Sequence, residues 1–129
     1  MPVRHTIKGR SKGNGFFVQL FHYMLRSPAW AALTPVDRAT YLHLAGLYNG
    51  SNNGYLGLSV RGVAEACNMN KDTAAKALKR LQEFGFVECC QLGSFGRKVR
   101  HSAEWSMTAH KNDRTGAPAS KAFMKWRPA

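Results

Sequence analysis

The stretch Ser59-Val-Arg-Gly-Val-Ala-Glu-Ala-Cys-Asn-Met-Asn-Lys-Asp-Thr-Ala-Ala-Lys-Ala-Leu-Lys-Arg-Leu-Gln-Glu-Phe-Gly85 decides how this 129-residue chain folds. Ser59 is a residue type that caps helices, and the positions after it predict a helix from Val60 to about Cys67. Asn68-Met69-Asn70 makes a tight connection. Asn70 can cap a second helix, Lys71 to Phe84, which Gly85 ends. At 100° per residue, Ala74, Ala77, Leu78, Leu81 and Phe84 fall on one side of that helix and are expected to face a core. Asp72, Lys76, Lys79 and Glu83 centre the opposite side, flanked by Thr73, Ala75 and Arg80.

Working outward, Gly85 is followed by two apolar-rich runs, Phe86 to Leu92 and Lys98 to Met107. They predict strands joined by a hairpin loop at Gly93-Ser-Phe-Gly96. Upstream, Tyr55 to Leu58 predicts a short strand after the turn Asn49 to Gly54. Thr34-Pro35 opens a helix over about 35 to 48, with Tyr41, Leu42, Leu44, Ala45, Leu47 and Tyr48 apolar and Asp37, Arg38 and His43 left for the solvent side. Ser27-Pro28 opens a short turn through Trp30 to Leu33, and His22 to Arg26 reads as helical. The core is expected to begin at Phe16, although the run to Leu20 does not decide between strand and helix. Residues 108 to 120 read as a polar loop.

The chain has 19 Lys and Arg against 7 Asp and Glu, a net charge of +12. That excess favours a polyanionic partner. No apolar run reaches the roughly 18 to 20 residues that span a bilayer, and the N-terminus lacks the apolar region of a signal peptide. A cytoplasmic, nucleoid-associated protein is expected. Three cysteines, Cys67, Cys89 and Cys90, cannot all pair within one chain, and none has zinc-type spacing, so they are expected as small apolar filler. The five histidines are scattered, and no nucleophile–base signature, P-loop or dinucleotide fingerprint occurs. No enzyme activity, catalytic residue, metal or cofactor is expected.

Two helices joined by a three-residue turn form a helix-turn-helix, and the second helix of such a unit enters the DNA major groove. Leu58 to Val87 resembles bacterial winged helix-turn-helix domains, as in GntR-type and MarR-type repressors and in plasmid or phage replication initiators. The resemblance rests on Val63-Ala64-Glu65, on Thr73, on Ala77-Leu78 and on Leu81-x-x-x-Gly85-Phe86-Val87. A longer frame of Phe16-Phe-Val, Ser27-Pro-Ala-Trp30, Leu33-Thr-Pro and Asn49-Gly resembles small alphaproteobacterial helix-turn-helix proteins, and extends the likeness over residues 16 to 108. It implies a mainly α fold with a small β-wing, with DNA contacts on Asn70, Lys71, Thr73 and Lys76. Ala75 departs from the Arg often found at its position in the repressors.

Ser59, Arg61, Asp72, Lys79 and Arg80 are further candidates for DNA contact. A Lys stripe alone also fits a solvated face. Arg97, Lys98 and Arg100 beside the hairpin suit phosphate contact, and equally suit protection of a sheet edge by charge. The chain divides into a basic arm (1 to 15), a winged helix-turn-helix domain (16 to 108) and a basic tail (109 to 129) that can dock through Phe123 and Trp126. The arm, with Arg4, Lys8, Arg10 and Lys12, fits either a free terminus or a segment lying on phosphates. The expected function is binding of double-stranded DNA as a sequence-specific transcriptional regulator. Replication initiation or recombination directionality on a mobile element is the alternative, and a protein-interaction or RNA-binding module the alternative of another class. A second copy of the chain, as a homodimer, is a candidate partner beside double-stranded DNA. Neither a membrane nor a small-molecule ligand is expected as partner.

Overall fold

The computed structural model describes residues 16–95 and 100–129. The arm 1–15 and the wing residues Arg97 and Lys98 lie outside the described residues. Helices α1 (His22–Leu25), α2 (Pro28–Ala32) and α3 (Pro35–Ala45) precede β1 (Leu56–Gly57). Then come α4 (Val60–Ala66), α5 (Lys71–Glu83), β2 (Val87–Gln91), β3 (Ser94–Phe95), β4 (Arg100–His101), β5 (Glu104–Met107) and a 3₁₀ turn at Ala122–Lys125.

The helix starts follow from side-chain caps. Ser27 Oγ accepts from Trp30 N, Thr34 Oγ1 from Asp37 N, Ser59 Oγ from Gly62 N and Asn70 Oδ1 from Thr73 N. Each satisfies an amide that the first turn leaves unpaired. Between α4 and α5, Asn68 takes φ +54°, a left-handed conformation that Asn tolerates better than most residues.

β5 is the central strand of an antiparallel sheet of order β1-β5-β2. Leu56 pairs with Trp105, and Val87 with Met107. The β2 register shifts between Cys89 and Gln91. Beyond that irregularity β3 and β4 pair as a separate ribbon, Ser94 opposite His101. Ser94 and Phe95 are therefore strand residues, where the sequence suggests loop. The expected single strand from Lys98 to Met107 is replaced by two, β4 and β5, separated at Ser102 and Ala103.

The core gathers Met24, Tyr41, Leu44, Leu56, Val63, Leu78, Leu81, Phe86, Val87, Met107 and Phe123. Rings dominate its middle. Phe86 lies edge-on to Trp30 (5.8 Å) and Tyr41 (5.9 Å) and is stacked on Phe123 (5.1 Å, 2° between planes). Tyr23 covers the far side of Phe123 at 6.1 Å. Trp126 stacks on Phe84 at 4.4 Å. The tail crosses the end of α5 so closely that a Cβ on Gly85 would meet Ala122 C and Phe123 N at 2.7 Å. Gly85 also has φ +86°, so both space and backbone demand glycine there.

Three expectations need correction. The core does not begin at Phe16: Phe16, Phe17 and Val18 are exposed and form no regular element, and the first buried side chain is Met24. The helix from Pro35 ends at Ala45 rather than near 48, with Leu42 and Leu47 exposed. Asp37, assigned to the wet side, is fully buried.

Residues 108–116 are polar but built into the fold. Asn53, fully buried, donates through Nδ2 to Met107 O (2.9 Å) and Lys111 O (2.8 Å) and accepts from Met107 N (2.7 Å). Asp113 accepts from Asn53 N at 2.9 Å. Arg114 donates to Gly54 O, Gln91 Oε1 and Glu104 Oε1 and lies over the Tyr55 ring. His110 packs against Phe21 and Tyr48, and burial holds its pKa below the ordinary 6.5 against the opposing pull of Asp113. Because Phe123 closes the ring cluster from outside the helix-turn-helix segment, Phe123→Ala is expected to lose about 3–5 kcal/mol in urea unfolding. A loss below about 1 kcal/mol would show that the tail is not part of the core.

Candidate nucleic-acid interface

α5 is the element whose two sides differ most. Ala74, Ala77, Leu78 and Leu81 are buried against α3 and α4. Lys71, Asp72, Ala75, Lys76, Lys79, Gln82 and Glu83 are exposed, and Thr73 is half-buried. The small side chains at 74 and 77 let α5 sit close to its neighbours. On the outer side Ala75 leaves a low point between longer polar residues.

The candidate residues fall into groups by what already occupies them. Lys71, Asp72 and Lys76 are all exposed in the first turns of the helix. Lys79 Nζ lies 4.0 Å from Glu83 Oε1, and on α4 Arg61 Nε lies 4.0 Å from Glu65 Oε1. All four side chains are more than half exposed, so these are weak surface pairs, worth about 0.3–0.5 kcal/mol each. Such pairs exchange readily for a phosphate. Ser59 and Asn70 are committed as caps, one on each helix of the pair. Both helix N-termini also present backbone amides, a setting that favours anions.

Arg80 stands apart. Its Nε donates to Asp37 Oδ2 at 2.8 Å, with Arg80 38% exposed and Asp37 not at all. It sits about 70° round α5 from the centre of the Lys face at 100° per residue. The same Asp37 oxygen accepts from Thr34 N at 2.9 Å, completing a capping box at the start of α3. Sequence reading missed Asp37. The signal was present in Thr34-x-x-Asp37, the capping-box spacing, which places the carboxyl back over the helix start.

The wing is described in part. The backbone of Arg100 pairs with Phe95 in the β3–β4 ribbon. Among the described residues no group of three or more His, Cys, Asp or Glu could hold a metal ion. Nor is any described helix long and apolar enough to cross a membrane.

Residues 31–87 match a protein family described as a helix-turn-helix domain. That segment of the chain is similar to a helix-turn-helix domain, and the likeness supports one of the bacterial DNA-binding kind. With its antiparallel sheet packed after the helices, the fold is a winged helix-turn-helix. The match supports binding to DNA. Comparison with curated proteins and with solved structures gives no match.

The rotation of α5 defines the exposed face and can be checked without any ligand. Leu78→Ala is expected to lower stability by about 2–5 kcal/mol. Lys76→Ala is expected to stay within about 0.5 kcal/mol of the parent. Thermal melting of the two variants decides it, and a reversed order would place the exposed face elsewhere.

Proposed function

We propose that this protein binds double-stranded DNA sequence-specifically through the exposed face of α5 and acts as a transcriptional regulator at the nucleoid. The observation that carries the reading is the asymmetry of α5. Asp72 and Lys76 stand in its N-terminal half on the side away from the core, with exposed Lys71 at its first position and half-buried Thr73 on the flank, directly after the short connection 67–70. In this reading Lys76 and Thr73 address base edges, while Lys71, Lys79 and Arg61 contact phosphates. Arg97, Lys98 and Arg100 add phosphate or minor-groove contacts from the wing. The net charge of +12 supports a polyanionic partner without choosing among duplexes.

Selection of bound sequences from random duplex DNA tests this directly, since a specific binder returns a common site and a merely cationic protein returns none. On the selected site the affinity is expected to fall steeply with salt. Neutralising about four to six phosphates gives a log–log slope of about −4 to −5. A slope near zero would remove the electrostatic basis of the proposal.

Lys76→Ala is expected to weaken binding to the selected site by about 1–3 kcal/mol while changing binding to random duplex much less. Gel-shift titrations on both DNAs measure this. Equal weakening on the two would make Lys76 a phosphate contact.

A further inference from the structure

We propose that Asp37 is a positioning residue for DNA recognition: through Arg80 it fixes the roll of α5, and so the placement of Lys76 and Thr73 against the base edges. The proposal rests on α5 being the DNA-facing helix. Its own support is a set of contacts that the apolar packing does not explain.

Asp37 is fully buried, in a chain with only seven acidic residues. Its Oδ2 accepts from Arg80 Nε at 2.8 Å and from Thr34 N at 2.9 Å, and its own amide donates to Thr34 Oγ1 at 3.2 Å. Its Oδ1 has no hydrogen-bond partner among the described residues. A buried carboxylate held by so few donors is not an economical way to add stability, since well-packed apolar groups often do as well. What such a pair supplies is direction. The rest of the α5 core face is Ala74, Ala77, Leu78 and Leu81, whose apolar contacts are non-directional and whose alanines offer a smooth surface.

Roll of the helix matters for recognition. Side-chain tips lie about 5–6 Å from the helix axis, so a roll of about 20° displaces them by about 2 Å. That exceeds the latitude of a hydrogen bond to a base. Arg80 is one turn beyond Lys76, so the pair anchors α5 next to the residue that must be aimed. The carboxylate also belongs to the capping box that fixes the start of α3. One oxygen thus ties the first turn of α3 to α5 across 43 residues of sequence.

The test uses the full chain with Arg80→Gln, Asp37→Asn, the double variant and Arg80→Lys. The readouts are the ratio of affinities for the selected site and for random duplex, and the salt slope on each. Circular dichroism sets a working temperature at which every variant is folded. If Arg80→Gln does not fold, Asp37→Asn carries the test, because the amide side chain keeps an acceptor for Thr34 N and removes the buried charge. Positioning predicts that both single variants lose about tenfold in discrimination with the slope unchanged, that the double variant is no worse than either, and that Arg80→Lys recovers most of the loss. A phosphate contact by Arg80 predicts something else. Arg80→Gln would then weaken both DNAs and reduce the slope by about one, while Asp37→Asn would leave the slope intact or steepen it. That result overturns the proposal while leaving the DNA-facing assignment of α5 standing. Unchanged discrimination in folded variants also overturns it. Failure of the unsubstituted chain to bind any duplex overturns the reading of α5 and this proposal with it.

Discussion

The ring of Phe86 is where the parts of this molecule meet. It follows Gly85 at the end of α5, begins the run into β2, and touches Trp30 of α2, Tyr41 of α3 and Phe123 of the tail. Its backbone is held as tightly. Phe86 N donates to Leu81 O, and Phe86 O accepts from Thr108 N. Thr108 Oγ1 adds a 2.6 Å bond to Gly85 O. The turn that reverses the chain after α5 is thus clamped by Thr108, just past β5, on one side and by the tail on the other. Edge-on and stacked rings add about 0.5–1.5 kcal/mol per pair to the area they bury. The position of α5 depends on this cluster at its C-terminal end and on the Asn70 cap at its start.

Local signals in the sequence were legible. Ser27, Thr34, Ser59 and Asn70 each stand at a helix start, because a cap is a contact between residues three apart. The core side of α5 was legible for a similar reason: Ala74, Ala77, Leu78 and Leu81 recur at the helical period. Asp37 was not. A carboxyl on a helical wheel reads as solvent-facing, and its partner Arg80 is 43 positions away. The segment 108–116 hid in the same way. Its polarity reads as loop, yet Asn53 and Arg114 turn it into a bolt across the sheet through contacts 54 to 60 residues apart. The break between β4 and β5 was equally opaque, as was the register shift at Cys89–Gln91 on the strand that pairs with β5.

The candidate interface was legible to the extent that it is a periodic surface. Asp72, Lys76, Lys79 and Glu83 are exposed together, as the wheel requires. Arg80 looks identical to the lysines in sequence, a cation flanking the same stripe. Only the fold distinguishes it, by supplying a buried carboxylate at 2.8 Å.

That distinction extends to the other cations. Arg114 is paired at 2.9 Å with Glu104, and both are largely buried. Arg80 and Arg114 therefore answer to oxygens of the protein itself. Removing Arg80 would leave the fully buried Asp37 without its cation, which is the expensive way to break an ion pair. Lys79 and Arg61 face their acids at 4.0 Å in open solvent, where the interaction is weak and salt-screened. An incoming phosphate can replace Glu83 or Glu65 at little cost, whereas replacing Asp37 would leave a buried carboxylate without its cation. The same residue types thus act as structural members when a buried acid lies behind them and remain available to a polyanion when it does not. Among the described cations on these pairs, it is the burial of the partner acid that separates those held by the protein from those left open to solvent.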